Sequence, residues 1–109
     1  MGYCAAVVSL TRAKLDAMVA EATVGAYGDH EQLGGFYTMI EDHLAVPFTT
    51  EVLGVQVTVR KVDLGESDIV AICHRRRDRQ AIGIRELPLP DPPPDGAEWI
   101  AAYRHWAGG

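Results

Sequence analysis

Residues 33–48 read LGGFYTMIEDHLAVPF, and the passage from helix to strand within them decides the fold. Leu33, Phe36, Tyr37, Ile40 and Leu44 recur at i, i+3, i+4, i+7 and i+11, which is one apolar stripe of a helix that follows Asp29. Gly34 and Gly35 weaken its early turns. Pro47 stops it, because the residue before a proline avoids the helical region. Immediately afterwards the period changes to two. Phe48, Thr50 and Val52 alternate with Thr49, Glu51 and Leu53. After Gly54 the alternation slips by one residue, so that Val55, Val57 and Val59 share a side. This reads as a tight turn or a bulge.

Upstream, Ser9 is placed to cap a first helix over about 10–22, with Leu15, Met18, Val19 and Ala22 on its apolar side. Downstream, Asp63 to Asp68 reads as a polar loop and Ile69 to Cys73 as a buried strand. His74 to Arg79 reads as a charged turn and Ala81 to Ile84 as a further strand. Leu87 to Asp95 holds five prolines and is expected to be an extended strap. A last helix follows. Asp95 and Glu98 have capping-box spacing, and Trp99, Tyr103 and Trp106 form its apolar stripe. The expectation is an α+β domain: N-terminal helices, a small antiparallel SH3-like sheet or barrel of four or five strands, and a short C-terminal helix.

The chain has 109 residues, which is one domain's worth, and 48 % of them are apolar, enough for a core without staples. Residues 1–109 are read as a single domain, with 1–32 an N-terminal helical extension and 33–106 the core. No apolar run approaches a membrane span and no basic leader opens the chain, so a cytoplasmic protein with no membrane partner is expected. Cys4 and Cys73 do not make a disulfide framework, and Cys73 reads as a buried thiol.

The net charge of −5 is unevenly placed. Between Leu15 and Val59 there is no Lys or Arg, whereas seven basic residues face four acidic ones between Arg60 and Arg85. The plain reading is two solvated faces; the alternative is an interaction surface. Arg75, Arg76, Arg77 and Arg79 have no interleaved aromatics, so a specific nucleic-acid site is not expected. They read as a charged hairpin tip that blocks edge pairing.

Catalytic motifs are missing. There is no phosphate-binding loop, no nucleophile elbow around Ser9 or Ser67, and no zinc spacing among His30, His43, His74 and His105. The chain is read as a binder and not an enzyme. Glu41 and Asp42 stand out, because a helix C-terminus already carries partial negative charge and ordinarily attracts Lys or Arg. Two carboxylates, open helix carbonyls and no counter-charge before Arg60 would form an oxygen-rich pocket suited to Ca²⁺. The plain alternative is two exposed acids tolerating a small penalty. The EF-hand order is absent, so ligands would come from separate segments. Glu51 would join Glu41 and Asp42 if the chain reverses at Pro47-Phe48.

The segment Phe36 to Phe48, with its aromatic helix ending in Glu-Asp and then Pro-Phe, resembles the hallmark of the CcbP-type calcium-binding proteins of bacteria. Ile82 to Leu89 (IGIRELPL) resembles that family's final strand, and Trp99 to Trp106 its last aromatic helix, in the same order over about 33–106. The resemblance implies a small acidic protein that binds Ca²⁺ without an EF-hand, as a buffer or sensor, with Glu41 and Asp42 as the transferable ligands. Two departures from the pattern are Ala102, where an acid is common, and the single acid, Glu51, after Pro47-Phe48. The rival reading is a metal-independent protein–protein interaction module, a homodimer among its forms.

Overall fold

A computed structural model describes residues 11–108. Helix α1 spans Arg12–Ala22. Ser9 lies outside the described residues. Thr11 is the N-cap, its hydroxyl accepting from the Lys14 backbone N–H at 3.1 Å. Met18 and Ala22 enter the core, and Leu15 and Val19 pack partly against it. Through them α1 belongs to the same core as the rest of the chain.

Helix α2 spans Asp29–His43 and buries Leu33, Phe36 and Ile40, as the stripe predicts. At Gly35 helices α1 and α2 come into close approach: a Cβ there would collide with the Ala22 carbonyl oxygen. The glycine that weakens the helix locally is what lets the two helices touch.

Four strands follow as an antiparallel meander, β1 Phe48–Val52, β2 Val55–Leu64, β3 Ile69–Arg75 and β4 Asp78–Gly83, in that spatial order. Of the two forms expected, sheet or barrel, the described residues form the open sheet. The slip at Gly54 is a tight turn: Leu53 and Gly54 both have left-handed backbone, φ 52° and 79°. A separate register shift lies between Val59 and Lys61. It lets Val59 and Val62 both point inward while Arg60, Lys61 and Asp63 are exposed. Asp63 therefore belongs to β2, paired with Val70, and not to the expected loop. Likewise His74 and Arg75 remain in β3 and Asp78 and Arg79 in β4, leaving only Arg76 and Arg77 as the turn. Cys73 is a buried free thiol, its pKa pushed up by burial.

The proline-rich strap carries no regular structure. Arg104 holds its start, donating to the Ile84 and Leu87 carbonyls at 3.0 and 2.6 Å, and Thr50 donates to Pro88 at 2.6 Å. It ends in α3, Ala97–Trp106. The expected capping box does not form. Gly96, with φ 87°, is the N-cap and no side chain caps the helix. The approach to α2 decides this, because a Cβ on residue 96 would collide with the His43 carbonyl. The apolar stripe of α3 packs on α2: Phe36 meets Tyr103 at 5.7 Å and Trp106 at 5.1 Å between ring centroids, and Trp99 stacks on His43 at 5.6 Å.

Candidate metal centre

The C-terminal half of α2 crosses the second half of β2, and a cleft of about 140 Å³ opens between them. Tyr37, Ile40, Glu41, Leu44 and Val46 line one wall, and Lys61, Val62 and Asp63 the other. Ile40, Leu44 and Val62 are buried and form the floor. The rim is polar. Tyr37 and Glu41 stand one helical turn apart, and the Tyr37 hydroxyl donates to Glu41 Oε2 at 2.8 Å. The pKa of Tyr37 is raised, first by that hydrogen bond, then by burial, then by the charges of Glu41 and Asp63. The two carboxylates thus act together on one hydroxyl. Asp63 is steadied by its own strand, its Oδ1 accepting from the Leu64 N–H at 2.9 Å.

Asp42 is exposed at the end of α2, on the solvent side as its helical position requires. Glu51 does not approach. It is exposed on β1 and pairs with Gln56, seven residues before Asp63 along β2, a separation of roughly 20 Å at the rise of a strand. The chain does reverse at Pro47-Phe48, but β1 then runs away from the cleft. Two premises of the sequence-level pocket also change. The helix end is partly covered: Gly96 lies against the His43 carbonyl, and the strap is held beside it by the Ala45 N–H, which donates to Asp95 O at 2.8 Å. A counter-charge is present as well, because Lys61 shares the cleft with Glu41.

Among the described residues, no group of three or more His, Cys, Asp or Glu side chains is gathered to hold a metal. The donors at the cleft are the two carboxylates and the tyrosine hydroxyl, all hard oxygen. They fit a Ca²⁺ ion that keeps much of its water, not one fully dehydrated by protein ligands. Asp63 escaped the sequence reading because its place on β2, at the rim of the cleft, is set by the sheet and not by the local sequence. The Tyr37–Glu41 pair was legible, as a bond at i, i+4.

Outside the cleft, the carboxylate of Asp68 is tied into the fold itself. Asp68 Oδ1 accepts from the Tyr103 hydroxyl at 2.9 Å and from the Ile69 N–H at 2.8 Å. The Tyr103 pKa is pushed up to about 12, by burial first and then by Asp68.

No family model matches the chain, and no curated protein matches it. Solved structures do. A calcium-binding protein in its calcium-binding form superposes with a TM-score of 0.72 at 17 % identity, over 90 % of this chain and 92 % of the other. The crystal structure of Anabaena CcbP superposes with a TM-score of 0.68, also at 17 % identity, over 89 % and 91 %. The chain has the CcbP fold. The resemblance read from the Glu-Asp to Pro-Phe segment is thus borne out in the fold. The CcbP fold here extends over nine-tenths of the chain, well beyond residues 33–106. No helix among the described residues is long and apolar enough to cross a membrane.

Proposed function

We propose that this protein binds Ca²⁺ at the cleft between α2 and β2, as a cytoplasmic buffer or sensor without an EF-hand, and that it is not an enzyme. The observation that carries the reading is the cleft that sets Glu41 and Asp63 on facing walls beside the Tyr37 hydroxyl, in a chain whose fold is that of a protein known in a calcium-binding form. Glu41 and Asp63 would hold the ion, and Asp42, one residue on from Glu41, adds negative potential from the solvent side. Glu51 has no part. The ion supplies positive charge that offsets the repulsion between the two acids.

What the chain's own residues do follows from their present bonds. Glu41 gives up its bond from Tyr37 or shares it, and Lys61 swings into solvent on its flexible stem. Both adjustments cost affinity. With two carboxylates and water as the remaining ligands, the dissociation constant falls on the order of 10⁻⁵ to 10⁻³ M. Such a site responds to large calcium changes and releases the ion quickly.

Calorimetric titration of the metal-free protein with Ca²⁺ and with Mg²⁺ tests the reading. Heat with Ca²⁺ that is lost in Glu41→Gln and weakened in Asp42→Asn supports it. Silence with both ions supports the metal-independent interaction module instead. A second readout is the Tyr37 titration. Ca²⁺ should bring its raised pKa back toward the ordinary tyrosine value, an absorbance change missing in Tyr37→Phe.

A further inference from the structure

Of the three hairpin connections, the β1–β2 and β3–β4 turns lie at the same end of the sheet, away from the cleft. Val52 pairs with Val55, Thr58 with His74 and Arg75 with Asp78. Carrying the β2–β3 register three steps beyond Thr58–His74 sets Val55 abreast of Arg77. At about 4.8 Å between strands, the Leu53-Gly54 and Arg76-Arg77 turns are within roughly 10 Å of each other.

Folding accounts for neither turn's side chains. Leu53 is 98 % exposed and Val55 37 %. Leu53 also sits at φ 52°, where Asn or Gly is the residue that the turn itself favours. Arg75, Arg76, Arg77 and Arg79 are all exposed, and the one ion pair among the described residues is His105–Asp16, elsewhere in the molecule. Glu51 and Asp78 offset two of these four positive charges, which leaves this end basic on a chain of net charge −5.

We propose that this end of the sheet docks on an anionic lipid surface, with Leu53 entering the acyl boundary and the arginines lying on the lipid phosphates. An exposed aliphatic side chain at a turn, with guanidinium groups on the neighbouring turn, has the layering of a membrane interface: apolar inside, phosphate outside. A membrane accepts an exposed turn without a matching pocket. A nucleic acid gives Leu53 nothing to contact, and neither turn offers an aromatic for a base to stack on. The expectation of no membrane partner rested on the lack of an apolar span, which a peripheral contact does not need. Lys61 to Asp63 and the cleft lie toward the other end of β2, so docking is independent of calcium.

The test is flotation of the full chain, in chelator, with phosphatidylcholine vesicles that contain or lack about 30 % phosphatidylserine. Binding should require the anionic lipid and weaken with salt. Leu53→Asn removes the apolar apex and suits the left-handed turn, so it should leave the melting temperature unchanged or raised. It should lower vesicle binding about tenfold. Arg76→Glu with Arg77→Glu should abolish binding. No binding to anionic vesicles at low salt overturns the proposal. So does binding that is indifferent to Leu53→Asn, the result expected of a basic surface that serves an acidic protein or a nucleic acid.

Discussion

Helix α2 has two faces with opposite characters. Its inner face sets Leu33, Phe36 and Ile40 against α3 and the sheet, with Phe36 and Ile40 wholly buried. Its outer end carries Tyr37, Glu41 and Asp42; Tyr37 packs partly against the core at the cleft and bonds to Glu41 of the same helix. The inner face is over-determined: Phe36 touches both Tyr103 and Trp106, so none of the three rings moves alone. At the outer end Glu41 and Asp42 are exposed and carry no such packing, which suits a ligand site as it would not suit a core. One helix serves both purposes because a period of 3.6 residues separates them around its circumference.

Breaking the inner face should cost most. Phe36→Ala leaves a cavity among rings that cannot collapse into it, and a loss of about 3–5 kcal/mol is expected in urea denaturation followed by circular dichroism. Trp99→Ala should approach the same range, because Trp99 is 7 % exposed and stacks on His43.

A smaller effect is expected where the inner face ends in a polar contact. Tyr103→Phe deletes the bond to Asp68 and should cost about 1–2 kcal/mol at neutral pH. Tyr103 also sets an alkaline limit. Its pKa is pushed up to about 12 in the folded state, against roughly 10 when unfolded. The folded state therefore holds the proton more tightly. This contribution is complete below about pH 10 and is lost as the pH rises toward 12. Wild type should lose stability across that window, and Tyr103→Phe should show a flatter alkaline limb.

The smallest effects belong to the outer end and would sharpen the contrast. Glu41→Gln and Asp42→Asn should each change stability by less than about 0.5 kcal/mol without calcium. Asp42→Asn should be neutral or slightly stabilising, since it removes an acid from a helix C-terminus. With millimolar Ca²⁺, wild type should melt higher than without it, and Glu41→Gln should not. A large calcium-free loss in either variant would mean that the outer end belongs to the core after all.

Much of the fold was legible because its decisive signals are local. The stripe from Leu33 to Leu44, the period change at Phe48 and the stripe from Trp99 to Trp106 each need only a few neighbouring residues to be read. The misreadings share a different origin. Asp95 and Glu98 carry the spacing of a capping box, yet Gly96 caps α3 because α2 passes too close for any Cβ. Asp63 looked like loop because its polarity is visible and its pairing with Val70 is not. Glu51 looked able to reach Glu41 because the chain reverses after Pro47, but the direction of β1 after that reversal is a property of the sheet.

The sequence by itself determined much of the core, where helix yields to strand, and that two adjacent carboxylates stand near the end of α2. Periodicity and composition carry those facts, and they depend on the chain's own geometry. Tertiary structure alone decided which carboxylate meets which. The register shift after Val59 turns Asp63 outward on β2 beside Lys61, and the crossing of α2 over that strand brings both to Glu41. The same packing seats Gly96 against the His43 carbonyl at the end of α2, which the sequence left open. A pairing between residues 22 positions apart follows from how layers stack, and no local propensity records it.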